Sequence, residues 1–134
     1  MLKKSSLVLS IWCIINFLLA LIILSYVIIL KKDSPILQVA AFSEIEIASL
    51  SAKTMAALNS FTILYNSCSL MISVLTWSLI RRNLADGEKW AFWLLVGVIG
   101  FVEAMAFLAS SYIGNGRWQV NVVQSVLYLT GICL

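Results

Sequence analysis

The stretch WAFWLLVGVIGFVEAMAFLASSYIGNG, from Trp90 to Gly116, carries one formal charge, Glu103, with thirteen uncharged residues on either side. A helix rises about 1.5 Å per residue, so a run of this length is enough to cross a hydrocarbon core roughly 30 Å thick. Three further runs, Ser5 to Leu30, Thr54 to Ile80 and Trp118 to Leu134, carry no formal charge at all. Backbone facing lipid must satisfy its own hydrogen bonds, which requires helices. The expected fold is therefore an all-α membrane protein: an antiparallel four-helix transmembrane bundle with spans at about 6–30, 54–80, 90–112 and 117–134. All 134 residues then form a single integral membrane domain.

Composition leads to the same class. Of the residues, 62% are hydrophobic and 11% charged, with a mean hydropathy of +1.02, against about 25% charged in soluble domains. Four spans and their connections leave no room for a separate soluble catalytic domain, and no enzymatic activity is expected. The net charge of +3 comes from residues flanking the runs, so no nucleic acid is implied as a partner. Lys3-Lys4 resembles the start of a signal peptide, but the apolar run that follows exceeds the roughly 7–15 residues of a signal core. It reads as a retained first helix. Lipid anchors are unsupported, because residue 2 is Leu and Cys133 is next to last.

Cys13, Cys68 and Cys133 form no C-x-x-C pair, and buried cysteine in a helix is usually a small packing residue. Histidine is absent, which excludes bis-histidine haem, most zinc sites and the commonest proton shuttle. No cofactor or metal is implied.

Basic residues number five on the face holding Lys3, Lys4, Arg81, Arg82 and Lys89, and four on the other (Lys31, Lys32, Lys53, Arg117). The positive-inside bias places both termini in the cytoplasm. Trp77, Trp90 and Trp93 fall near that boundary, and Tyr26, Tyr112 and Trp118 near the opposite one. Short connections with turn chemistry, Asp86-Gly87 and Gly114-Asn115-Gly116, predict that helices two, three and four pack as consecutive antiparallel neighbours. Ser34-Pro35 reads as a helix start. From there to Lys53 the mixed composition predicts an interfacial or extended helical segment between helices one and two, with Glu44 to Ile47 equally readable as extended chain.

Polar residues fall in stripes. Asn59, Thr62, Asn66, Ser69, Ser73 and Thr76 recur at alternating intervals of three and four, which puts all six on one helix face. That face should meet other helices, through hydrogen bonds or around a polar path, and Ile72 and Leu79 are expected to lie off it. Asn121, Gln124, Tyr128 and Gly131 repeat the pattern in the fourth helix. The first supplies only Asn16, with Cys13 and Ala20 on the same side, and its remaining surface suits lipid. In the third, Glu103 shares a face with Val96, Gly100, Phe107 and Ser110, and Gly100 with Ala104 permits a close approach.

With helices aligned by their midpoints, Asn16, Asn66, Glu103 and Gln124 share one depth. An ionisable group at that depth is a functional-site hypothesis by default. No lysine or arginine is expected there, so the neutral acid is the expected form, hydrogen-bonded to Asn66 and to Gln124 or Tyr128. A short chain with one membrane carboxylate resembles the small multidrug-resistance transporters, four-helix proteins acting as dimers. Their shared glutamate lies in the first helix, where this chain has none, so no residue role carries across.

The expected function is binding or transport of a small, partly apolar molecule or a proton through a polar chamber around Glu103. The alternative is a noncatalytic accessory or assembly subunit of a larger membrane complex. Membrane lipid and either a second copy or a membrane-protein partner are the expected contacts.

Overall fold

The computed structural model describes residues 2–30, 32–33, 43–112 and 118–134. All of its regular elements are helical. Helix α1 spans Leu2–Leu24 and continues through a π-helical turn, Ser25–Ile29. Helix α2 is short, Glu44–Ser49. Helix α3 spans Ala52–Leu79 and also ends in a π-helical turn, Ile80–Leu84. Helices α4, Lys89–Tyr112, and α5, Trp118–Cys133, complete the fold. The expected starts at Ser34-Pro35 and the turn at Gly114-Asn115-Gly116 lie outside the described residues.

Among the described residues, three segments are long and apolar enough to cross a membrane: Lys3–Ile29, Ala52–Leu84 and Lys89–Ala109. The fourth expected span is a shorter helix of 16 residues, about 24 Å at ~1.5 Å per residue. Between α1 and α3, the segment from Glu44 is helical and not extended, and its start is fixed by a capping box. The Ser43 hydroxyl accepts from the Glu46 amide, while the Glu46 carboxylate accepts from the Ser43 amide at 2.7 Å. Leu50 then turns to extended backbone, and Ser51 caps α3 by accepting from the Thr54 amide at 3.1 Å. Two serine caps thus break one apolar-polar run into two helices.

The turn between α3 and α4 is closed by Gly87, whose φ of +84° favours glycine over residues with a Cβ. Glu88 secures the turn by accepting hydrogen bonds from the Asn83 amide, at 2.9 Å, and from the Trp90 indole.

Helix order in space departs from order in sequence. α1 is the central helix, packed against α3 on one side and α5 on the other, and α4 packs on α5. Thus α3 and α4, expected to be paired neighbours, meet mainly at their shared turn and stand apart along their length. The reason lies in the faces. The buried residues of α3 are Thr62, Asn66, Ser73 and Thr76, all from the predicted polar stripe, and that stripe lies against α1. Its side chains fold back on their own helix: Asn66 Nδ2 donates to the Thr62 carbonyl at 2.8 Å and Ser73 Oγ to the Ser69 carbonyl at 2.9 Å. They therefore act as self-satisfied residues that let α1 come close, and these bonds of Asn66 and Ser73 stay within one helix. Asn59, near the start of the stripe, donates to Asp33 at 3.1 Å.

The apolar core joins Leu9, Trp12 and Cys13 of α1 to Ile80, Leu84, Leu95 and Ile99. It therefore gathers at the end of the molecule that holds the α3–α4 turn. One expectation falls here: Leu79 packs against this core instead of lying off the seam. On α1, Cys13 and Ala20 are buried while Leu7, Ile11, Ile14, Leu18 and Ile22 are exposed, the division expected of this helix. Cys13 is buried as expected of a packing residue, whereas Cys68 and Cys133 are exposed.

Candidate functional site

The inward face of α1 is set by residues three and four apart: Ser5, Leu9, Trp12, Cys13 and Ala20 are buried, the spacing that keeps side chains on one helical stripe. On α4 the buried row is Ala91, Leu95, Ile99 and Glu103. Steps of four run oblique to a helix axis, so the carboxyl is the far end of an apolar row that starts in the core. Glu103 is 5% exposed and Trp12 1%.

Among the described residues the carboxyl accepts hydrogen bonds from two partners, on two other helices. Trp12 Nε1 donates to Oε1 at 2.8 Å, and Ser125 Oγ donates to Oε2 at 2.9 Å. Neither is a cation. The network then closes on itself: Asn16 Nδ2 donates to the Trp12 carbonyl at 3.0 Å, and Gln124 Nε2 donates to Asn16 Oδ1 at 3.1 Å. Gln124 and Ser125 are consecutive, so Glu103, Trp12, Asn16 and the Gln124-Ser125 pair form a ring joining α1, α4 and α5. Among the described residues, no buried side-chain nitrogen or oxygen lacks a partner.

Helices α4 and α5 are clasped by three rungs in antiparallel order. Tyr128 OH donates to the Val96 carbonyl at 2.8 Å, Ser125 to Glu103, and Asn121 Nδ2 to the Ala106 carbonyl at 3.2 Å. Gly100 admits the first rung, since a Cβ there would stand 2.6 Å from the Tyr128 hydroxyl oxygen. At Gly131 a Cβ would meet the Leu9 side chain at 2.7 Å, so the last residue of the α5 stripe is where α1 fits against it. Close approach at Gly100 is thus made by a tyrosine ring and not through a Gly100–Ala104 pair, because Ala104 is exposed.

The predicted polar layer is assembled in part. Asn16, Glu103 and Gln124 belong to the ring, and Tyr128 lies along the same α4–α5 contact. Asn66 is buried but turned to its own helix, so it is not a partner of Glu103. Trp12 and Ser125, the actual partners, escaped the pattern. Tryptophan counts as apolar in a periodicity argument, and Ser125 sits one residue beyond the stripe. A signal for Trp12 did exist: it lies well inside the first run, away from the boundary where tryptophans gather, and a buried indole N–H requires an acceptor.

The arrangement accommodates both forms of the carboxyl. An indole N–H only donates, so Oε1 is an acceptor in either state, whereas a serine hydroxyl donates to a carboxylate or accepts from a carboxylic acid.

Beside this ring lies a cavity of about 760 Å³ between α3 and α4. Trp12 and Asn16 of α1 form its inner wall, Tyr65, Cys68, Ser69, Ile72 and Ser73 line it from α3, and Phe101, Val102, Met105, Ala106, Leu108 and Ala109 contribute from α4, with Asn121 at the α5 side. Its volume falls in the range of about 300–1,000 Å³ usual for small-molecule sites, and its mostly apolar lining with a few polar groups is also usual. A groove of about 400 Å³ extends it along α4 and shares Ile72, Phe101 and Val102. A separate groove of about 250 Å³, lined by Cys13, Ile14, Phe17, Leu18, Ser73, Val74 and Trp77, lies between α1 and α3 and has neither Glu103 nor its partners on its wall. Among the described residues no group of cysteines and acids is placed to hold a metal ion.

The chain matches no protein family, no curated protein and no solved structure.

Proposed function

We propose that the chain is an integral membrane protein that crosses the bilayer four times, with both termini in the cytoplasm, and binds a small, partly apolar molecule in the α3–α4 cleft. The observation carrying this reading is that Trp12 is at once a wall of the cleft and the donor that holds Glu103, the one formal charge inside the apolar runs. Occupancy of the cleft and the state of the carboxyl are then coupled through one side chain. Crossing by the short α5 is accommodated by local thinning of the bilayer. The proton-exchanging role proposed for Glu103 is supported by a partner set that fits both protonation states.

A second reading keeps the membrane topology and places a helix of a larger complex in the same cleft, as in an accessory or assembly subunit. It is favoured by the separation of α3 from α4, which leaves one side of the bundle open. Native mass measurement in mild detergent separates self-association from co-purification with another protein.

The ligand reading is tested in lipid nanodiscs with an uncharged solvatochromic dye, Nile red. Saturable blue-shifted emission that is lost in Ala109→Trp, a substitution that fills the cleft from an exposed position, is the expected result. Identical, non-saturating emission in both proteins would overturn it. Topology is tested by cysteine accessibility: a thiol at Asn83 is expected to label from the cytoplasmic face, and one at Asn115 from the other.

A further inference from the structure

Away from the cleft, the groove of about 250 Å³ between α1 and α3 is apolar except for Ser73, whose hydroxyl donates to the Ser69 carbonyl. Its α3 wall, Val74 and Trp77, continues in steps of three and four to Arg81, which is exposed. The Arg81 guanidinium lies 5.5 Å from the centre of the Trp77 ring. That contact stations a cation at the end of the groove, and a guanidinium held against a ring keeps its N–H edge for an anion. The α1 wall runs antiparallel, since Leu9 packs with Ile80 and Leu84 while Cys13 shares the groove with Trp77. From Ile14, steps of four, three and four lead back to Ser10, Leu7 and Lys3, all on one helical stripe. Ser10 and Arg81 each stand one turn beyond the groove, and the exposed Lys3 stands two turns beyond Ser10. Neither stripe carries an acid. The two acids of this end, Asp86 and Glu88, belong to the α3–α4 turn, where Glu88 is held by Asn83 and Trp90.

We propose that this groove holds an acyl chain of an anionic phospholipid whose phosphate is bound by Arg81, Ser10 and Lys3. The site is independent of the cleft and rests only on the reading of the chain as an integral membrane protein. From Val74 to Arg81 is about 10 Å along a helix at ~1.5 Å per residue, against roughly 15 Å of hydrocarbon in one leaflet. A head at Arg81 therefore lays the upper part of its chain against Trp77 and Val74. The guanidinium fork matches two phosphate oxygens, and a serine hydroxyl donates to a third. Two cations without an acid repel the choline of a zwitterionic head and attract a head of net negative charge. The positive-inside bias assigns this end to the cytoplasm, the side whose leaflet carries anionic lipid. Size favours a lipid chain over a partner helix, because 10 Å of helix, roughly 10 Å across, occupies about three times the volume of the groove.

Native mass spectrometry of the full chain in detergent micelles, titrated with palmitoyl-oleoyl phosphatidylglycerol or palmitoyl-oleoyl phosphatidylcholine, compares two heads on the same pair of chains. Phosphatidylglycerol is expected to bind its first site about tenfold more tightly, equivalent to ~1.4 kcal/mol. Arg81→Gln should abolish that preference. Lys89→Gln, the same change of charge on α4 and off both stripes, should leave it intact. Val74→Trp, which fills the groove from an exposed position, should weaken both lipids. Equal affinity for the two lipids in the unsubstituted chain would overturn the proposal, and this comparison needs no variant to fold. Equal losses in Arg81→Gln and Lys89→Gln would replace the site with a diffuse basic field. Unweakened binding in Val74→Trp would take the acyl chain out of the groove. A chain that stays monodisperse in buffer without detergent would overturn the membrane reading itself, a result distinct from any ranking of lipids.

Discussion

Replacing Trp12 by phenylalanine removes the indole N–H that holds Glu103 Oε1 at 2.8 Å and leaves that oxygen without its donor in a site 5% exposed. A buried polar group left unsatisfied costs roughly 1–3 kcal/mol. The smaller ring also leaves a void of roughly 40 Å³, which at about 24 cal/mol per Å³ adds ~1 kcal/mol. Trp12→Phe is therefore expected to destabilise by about 2–4 kcal/mol. Glu103→Gln should cost under about 1 kcal/mol, since its amide oxygen still accepts from Trp12 and its NH₂ reaches Ser125. Glu103→Leu removes both functions and should cost about 1–3 kcal/mol. Sodium dodecyl sulfate titration of the protein in mixed micelles, followed by far-ultraviolet circular dichroism, supplies the three energies and that of the double variant Trp12→Phe/Glu103→Leu. If the Trp12–Glu103 bond is what holds the ring, the double variant should be more stable than the sum of the singles predicts by about 1–3 kcal/mol. Independent sites add within about 0.5 kcal/mol, and a coupling that small would refute the reasoning.

Gly100→Ala should destabilise by about 1–3 kcal/mol, because its Cβ would stand 2.6 Å from the Tyr128 hydroxyl oxygen and disrupt the bond to Val96. The loss should shrink in a Tyr128→Phe background, and an unchanged loss would place its cause elsewhere. Tryptophan introduced at Asn66 or Ser73, both buried, should abolish folding measured by monodispersity in detergent, while Leu64 and Leu75, exposed on the same helix, should tolerate it. Hydrogen bonds from Ser43 hold the Glu46 carboxyl below its ordinary value of 4.5. A carboxyl lowered in the folded state stabilises above its unfolded value and loses that contribution as pH falls through the folded one. Hydrogen exchange at the Ser43 amide, corrected for intrinsic rates, should thus stay protected at neutral pH and lose protection below about pH 4.5; pH-independent protection would contradict the cap.

The helices themselves were legible because length and lack of charge decide them. The α3 stripe was legible too: intervals of three and four select one face whatever that face meets. Its energetic role was not, since sequence does not reveal that Asn66 and Ser73 turn back to their own carbonyls. Helix order failed for a related reason. Short connections such as Asp86-Gly87 fix which ends are near, whereas packing depends on which faces fit along the whole length. The small stripe of α3 suits α1, and the Gly100 and Gly131 notches suit Tyr128 and Leu9. Glu103 was found by its charge alone, but its partners needed the third dimension: Trp12 lies 91 residues away and belongs to a residue type that hydropathy treats as inert.

The central position of α1 has a consequence for biogenesis. Glu103 and Ser125 are 22 residues apart, so at translation rates of about 5–20 residues per second, roughly 1–4 s separate their synthesis. Trp12 is made long before either. As the chain is made, the indole is therefore the first of the two donors the acid meets, and the α1–α4 bond precedes the α5 clasp. The order of synthesis and the order of helices in space together make the Ser125 bond the last link of the ring.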